Sequence, residues 1–582
     1  MTKTIHTVAK ALQVLLLSSA LVVMSAFGFA TADLNEAAKN AGLSGSYLAA
    51  RVALDDNDDA AAVTFLERAI SFDSENTRLR RDYFTALTAN GRIEEAASIL
   101  NEAPQITSKL NLAGFTISAV EIRKRSWKKA SSALKDITGA ELERILREVM
   151  LAWISAGERN FDEAFARLED LSGSEWILAL KDYHGGLIAS VAGKDELAKD
   201  YLQNVIDKDV ILGVLTETYL RAIEAMVRNR IKVGDVESAR SLLENGLTKI
   251  PEYAPFIQLK KNLDENLVLT GLIKTTQEGT AELFYNLASA IQRDSNGETA
   301  KIYYQIAQYL APESDEISIG LAELYLRQRN FERSNSFYEK VDETSPFYRL
   351  SRLEISTNLA RLDRKDEAIE ELQRLIEENP NDLTGYMALG SILSREKRYR
   401  EAAETYDNAV SNIDEFLPFH WDLFFRRGIA YERLKEWQKA EPSFQRSLEL
   451  SANRAEVLNY LGYSWIDQGV NLDEGMDMIR RAVQLRPKSG FIIDSLGWAY
   501  YRIGEYEKAV RELERAVQLM PSDPTINDHL GDAYWQVGRK LEATFQWKIA
   551  LAAETPPEDP EEIERKLKEG LKKPEKNEAK AQ

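Results

Sequence analysis

Apolar and small residues recur at helical spacing through most of the chain, and the stretch "DSLGWAYYRIGEYEKAVRELERAVQLMP", residues 494 to 521, shows the unit of the pattern. Leu496, Ala499 and Tyr500 form one i, i+3, i+4 set; Ala509, Val510, Leu513, Ala516 and Val517 form another, with Gly504 between them. Such spacing predicts two amphipathic helices joined by a short turn. The unit then repeats. Gly428 and Gly462 are 34 residues apart, Gly497 and Gly531 continue the ladder, and Gly390 stands 38 residues before Gly428. A second small series runs through Ala402, Ala440, Gly475, Ala509 and Ala543, and a third through Ala409, Ser447, Ala482, Ala516 and Ala550. Pro487 and Pro521, again 34 apart, close two units. Small residues belong where helices cross too closely for a long side chain, so enlarging Ala509 or Ala516 would overpack the crossing by roughly 1–3 kcal/mol. Tyr406, Phe444, Ile479, Leu513 and Trp547 share one bulky position beside them.

Weaker copies keep the register further back: Ala288, Ala322 and Ser356 with Ala300, Ser334 and Ala368, and an N-terminal series Ala50, Phe84, Ser118, Ala152 and Gly186 with Ala62, Ala96, Ala130, Ala164 and Ala198. The residues "LGWAYYRIGEYEKAVRELERAVQLMP" resemble the tetratricopeptide repeat, a 34-residue helix-turn-helix. The resemblance implies an all-α, right-handed superhelical solenoid of about fourteen units in two blocks, stabilised by stacking. The expected organisation is a leader at 1–32, a degenerate array at 33–251, a junction at 252–279, a second array at 280–555, and a charged tail at 556–582 with at most one capping helix. The junction is read as a hinge or a rigid adaptor.

The N-terminus adds Lys3 and Lys10, an apolar run and the exit Ala30-Thr31-Ala32. These are the parts of a secretory signal peptide cleaved after Ala32, or of a membrane anchor if it is retained. Membrane contact is expected through this segment alone. The chain has no Cys, which excludes disulfides, thiolate ligands and an N-terminal lipid-modified cysteine, so a lipoprotein is excluded. Acidic residues outnumber basic ones by 93 to 74, a net charge of −19, and nucleic acid is not an expected partner. His6, His184, His420 and His529 show no metal-ligand spacing, and neither metal nor cofactor is expected. Ser-x-x-Lys occurs at Ser126 and Ser394 without companion motifs, so nothing points to an enzyme.

A solenoid offers instead a concave surface made by the first helix of each unit. The groove positions in the last three units are Asn459, Tyr463, Ile466 and Asp467; Asp494, Trp498, Tyr501 and Arg502; and Asp528, Asp532, Trp535 and Gln536. Their acidic bias suits a basic or mixed-charge protein surface. Residues 455 to 551 are similar to exported tetratricopeptide proteins of the bacterial envelope, including periplasmic adaptors of carboxyl-terminal processing proteases. That similarity implies a non-enzymatic scaffold in the periplasm of a Gram-negative bacterium. Its partners would be one or more proteins, such as an envelope protease to which it delivers substrates. The alternative is an accessory subunit of an envelope export or assembly complex, for polysaccharide secretion or outer-membrane assembly.

Overall fold

The computed structural model describes residues 37–571 apart from 103–109, 266, 268, 293–296 and 558. The expected leader with Ala32, and the end of the tail at 572–582, lie outside the described residues. Among the described residues there is no strand, and no helix is long and apolar enough to cross a membrane. The fold is an all-α repeat solenoid of antiparallel helix pairs.

The turn inside each pair shows the repeat in the backbone itself. Left-handed φ values recur at Asn57, Gly91, Arg125, Arg159 and Gly193, each 34 residues after the last, and again at Arg329, Asp363 and Lys397. Gly504 and Gly538, expected at turns, adopt φ of 82° and 84°. Arg and Lys hold the same conformation elsewhere, at roughly 1–2 kcal/mol per residue, because the two helices packed on either side over-determine the turn. Asn76, Asn160, Asn330 and Asp523 cap helix starts by accepting backbone N–H bonds.

The chain divides into two compact units, residues 1–364 and 365–582. The expected junction at 252–279 therefore falls inside the first unit. The reason is packing: the helices Thr276–Gln292 and Glu298–Leu310 lie against the first helices of the N-terminal pairs. Thr276–Gln292 touches Asn111–Arg123, Glu141–Gly157, Glu175–Val191 and Thr216–Lys232, and Glu298–Leu310 touches Thr77–Ala89 and Asn111–Arg123. Both inserted helices are buried all round, with Gly279 to Ala288 and Ala300 to Ala307 shielded without a break. The ring centroids of Phe115 and Phe284 are 6.4 Å apart, edge to face, and Gly279 lies flat on Trp153. The face that the first helices would present to a partner is thus filled by the chain's own helices.

Two buried polar clusters fasten the insertion. Lys301 Nζ lies 2.8 Å from both carboxylate oxygens of Asp59, and both side chains are buried. Arg221 makes a two-point contact with Glu282, Nε to Oε1 at 2.6 Å and Nη2 to Oε2 at 2.9 Å. Its Nη1 also donates to Glu224 at 3.2 Å and to Glu316 at 2.8 Å, and Tyr183 donates to Glu282 at 2.7 Å. One guanidinium therefore joins three helices, and Tyr183 ties in a fourth through Glu282. Burial pushes the Glu224 carboxyl up to about 7 against the pull of Arg221. The folded chain holds this proton more tightly than the unfolded chain, whose carboxyl ionises near 4.5, so stability falls as pH rises from 4.5 through about 7. Glu224→Gln is expected to raise the melting temperature of the first unit at pH 8 and to leave it nearly unchanged at pH 5. Calorimetric scans at the two pH values check this, and an equal shift at both would reject it.

The second unit is a regular stack, from Leu383–Arg395 with Tyr399–Ser411 to Pro524–Gln536 with Lys540–Leu551, closed by Pro560–Glu569. At each crossing the small residue of the first helix meets the bulky residue of the second. A Cβ at Gly497 would stand 2.5 Å from Leu513 Cγ, and one at Gly531 would stand 2.5 Å from Trp547 Cδ1. At Gly462 the nearest atom would be the Gly475 carbonyl oxygen at 2.7 Å. Ala482, Ala509, Ala516, Ala543 and Ala550 are fully buried, and Pro487 and Pro521 sit in the turns that follow the second helices.

Candidate partner-binding face of the second unit

The first helices Ala455–Gln468, Gly490–Arg502 and Pro524–Gln536 lie side by side, because each buries its small residue against its own second helix and its flank against the next first helix. Side chains about one repeat apart meet across this face and form lateral rungs. Asn459 Nδ2 donates to Ser495 Oγ at 3.1 Å, and Gln536 Nε2 donates to Tyr501 OH at 3.4 Å. Arg502 binds Asp467 through the carboxylate and, at 2.8 Å, through the backbone carbonyl. His529 Nδ1 lies 2.9 and 3.1 Å from the two oxygens of Asp494. Lys566, from the closing helix, sits 2.9 Å from both oxygens of Asp528 and from Asp532 Oδ2.

These rungs change the expected electrostatics. Each carboxylate of the groove set meets a base one repeat further on, so the acidic bias read from the sequence is largely cancelled within the face. Burial, the largest single influence, would lower the His529 pKa, but the charge and hydrogen bond of Asp494 together with the charges of Asp528 and Asp532 outweigh it and hold the imidazole above its usual value. Burial, and then the charge of Asp528, push the Asp532 carboxyl up to about 6, while Lys566 pulls it down.

The groove positions separate into two groups. Asp494 and Asp532 are 7% and 5% exposed and are committed to the fold, Asp532 also accepting from Trp547 Nε1 at 2.9 Å. Ile466, 2% exposed, packs beside Gly475 and does not face the groove. Trp498 is covered on both faces, by Tyr501 at 4.7 Å and by His529 at 4.1 Å between ring centroids, with interplanar angles of 11° and 20°. The aromatic knot is therefore a three-ring stack pinned by Asp494, and its rings fasten helices. Trp535 packs under Gly570 and carries Lys540 4.9 Å from its ring centroid. Asn459, Tyr463 and Asp528 are half-buried, and Asp467 and Arg502 are exposed.

Sequence reasoning missed His529, Lys566 and Phe491. The lateral offset of about one repeat was readable, since Asp494 and His529 are separated by the same 35 residues as Asp467 and Arg502. Phe491, in the first turn of its helix, is 59% exposed on this face and is the large apolar side chain left open there. Nearby, Phe425 and Tyr460 meet edge to face at 5.9 Å, and Tyr460 donates to Glu432 at 3.2 Å.

Family models of the tetratricopeptide repeat match residues 53–111, 353–415 and 395–455, and a TPR repeat model matches 497–538. A TPR repeat-containing protein of Pseudomonas aeruginosa is 25% identical over 200 residues, 34% of this chain and 33% of that protein. Anaphase-promoting complex subunit 3 of Schizosaccharomyces pombe is 23% identical over 207 residues, 35% of this chain and 30% of that protein. The matched stretch thus spans about a third of the length of these relatives. Among solved structures, a tetratricopeptide repeat protein from Parabacteroides merdae aligns with 44% of this chain and 97% of its own, at 16% identity and a TM-score of 0.37. The family matches fall on the helix pairs and the crossings described above, and the chain is a tetratricopeptide-repeat protein.

Proposed function

We propose that this chain is a non-enzymatic, exported scaffold that binds protein partners on the first-helix face of its second unit and serves cell-envelope maintenance in the periplasm. The observation that carries the reading is the contrast between the units. The first-helix face of the first unit is filled by Thr276–Gln292 and Glu298–Leu310, while that of the second keeps Phe491, Asp467 and Arg502 exposed. An exposed aromatic beside charged groups suits a partner-binding hot spot. Repeat scaffolds of this family mediate protein–protein interactions, and the N-terminal leader pattern supports export. Delivery of substrates to an envelope protease is the specific role we assign.

Capture from a crosslinked envelope fraction tests this reading. Recovery of a protease with its substrates is expected, and retention of the bait with the cytoplasm after osmotic release would overturn export. Phe491→Ala should cut partner recovery at least fivefold and leave melting unchanged. Trp498→Ala should instead destabilise the second unit by about 2 kcal/mol, because it removes the middle ring of a packed stack. If Phe491→Ala leaves recovery intact, the face is misassigned.

A further inference from the structure

Among the described residues no helix pair follows Pro524–Gln536 and Lys540–Leu551, and the lateral place of one is taken by Pro560–Glu569. Its contact residues follow helical spacing: Ile563 is buried, Lys566 is buried between Asp528 and Asp532, Leu567 packs on the same apolar cluster as Trp535, and Gly570 lies where any Cβ would overlap the Trp535 ring. The stripe i, i+3, i+4, i+7 is thus one face of a helix with a lysine in its centre.

This rung differs in construction from the others. Gly490–Arg502 and Pro524–Gln536, which supply Arg502 and His529, are each clamped by a second helix through a small-residue crossing. Among the described residues the closing helix has no such second helix, and it has ten residues, a length that is marginal in isolation. Yet it supplies the cation for two carboxylates one helical turn apart, of which Asp532 is 5% exposed. Whatever replaces this helix must bring a positive charge to the same point, because a buried carboxylate left without a partner is strongly disfavoured.

We propose that the closing helix is an exchangeable occupant, and that the site beneath it takes an amphipathic helix of a partner protein with a lysine centred in its apolar stripe. Exchange adds the partner laterally to the first-helix face, and the inference rests on the reading of that face as the partner surface. While the closing helix is seated, this end of the face is held shut.

The probe is a fluorescent peptide with the sequence of residues 559–571, and the readout is anisotropy on the full chain. Lys566→Glu places a third acidic group against Asp528 and Asp532 and is expected to release the closing helix. The Lys566→Glu chain should bind the peptide at least tenfold tighter than the unsubstituted chain, and the same peptide with its central lysine changed to glutamate should not bind. Equal binding by the two chains, or binding that ignores the lysine, overturns the proposal. Hydrogen exchange on the unsubstituted chain guards against a variant that fails to fold: Pro560–Glu569 should exchange at least a hundredfold faster than Pro524–Gln536, and equal protection overturns the proposal. Concentration-dependent dimers that vanish in Lys566→Glu would assign the site to a second copy and overturn the partner assignment. If the peptide fails to bind while Phe491→Ala still abolishes partner recovery, only this inference is lost.

Discussion

Arg221→Met is expected to destabilise the first unit by about 3–5 kcal/mol, the cost of breaking a buried ion pair by removing one partner. Arg221 is the cation for Glu282, Glu224 and Glu316, and it is buried with Glu282 and Glu224. Without it, Glu282 keeps the hydroxyl of Tyr183 and the amide of Asn286 as donors, but no charge balances it. Denaturant titration followed by a probe in the first unit measures the loss. The double variant Arg221→Met, Glu282→Leu should be milder than the single one, since it removes the carboxylate that Arg221 held by two points, leaving only Glu224 and Glu316 without their cation. A loss below about 1 kcal/mol in the single variant would mean that water reaches the cluster and that the insertion is not sealed.

Gly279→Val is the second expected large effect, at about 1–3 kcal/mol or more. A Cβ at residue 279 would overlap the indole of Trp153, a fully buried ring that is also held by its Nε1 bond to His184 Nδ1 at 3.1 Å. The ring cannot yield without breaking that bond. Faster hydrogen exchange across Thr276–Gln292, with the second unit unaffected, is the expected signature. In a Trp153→Ala background the added cost should largely vanish, because the two positions share one contact. If Gly279→Val leaves exchange unchanged, the inserted helix does not depend on that contact.

Both predictions concern a feature that the repeat pattern conceals. Ala288 and Ala300 stand in register with the rest of the ladder, so residues 276–310 read as one more weak repeat. The structure gives them a second role as the filling of the N-terminal face. The stretch "AKIYYQIAQYL" places Lys301, Gln305 and Gln308 at i, i+4 and i+7, a polar stripe that reads as a solvent-facing side, yet all three are buried in the structure. The contacts that make the insertion, such as Lys301 with Asp59, join residues 242 positions apart, and no local spacing encodes them.

The groove shows the same division on a smaller scale. Register correctly separated Gly497 and Ala509 as crossing positions from Trp498, Tyr501 and Arg502. It could not say that Trp498 is covered by His529 from the next repeat, or that Asp532 is covered by Lys566 from beyond the last one. Helix pairing, the crossing residues and the repeat family were determined by the sequence alone, because steric size at a fixed period is a local property that every unit restates. Which first-helix face stays open, and which of its charges remain unspent, was decided only by the tertiary structure. Burial and charge pairing depend on what other segments of the chain bring to the same place.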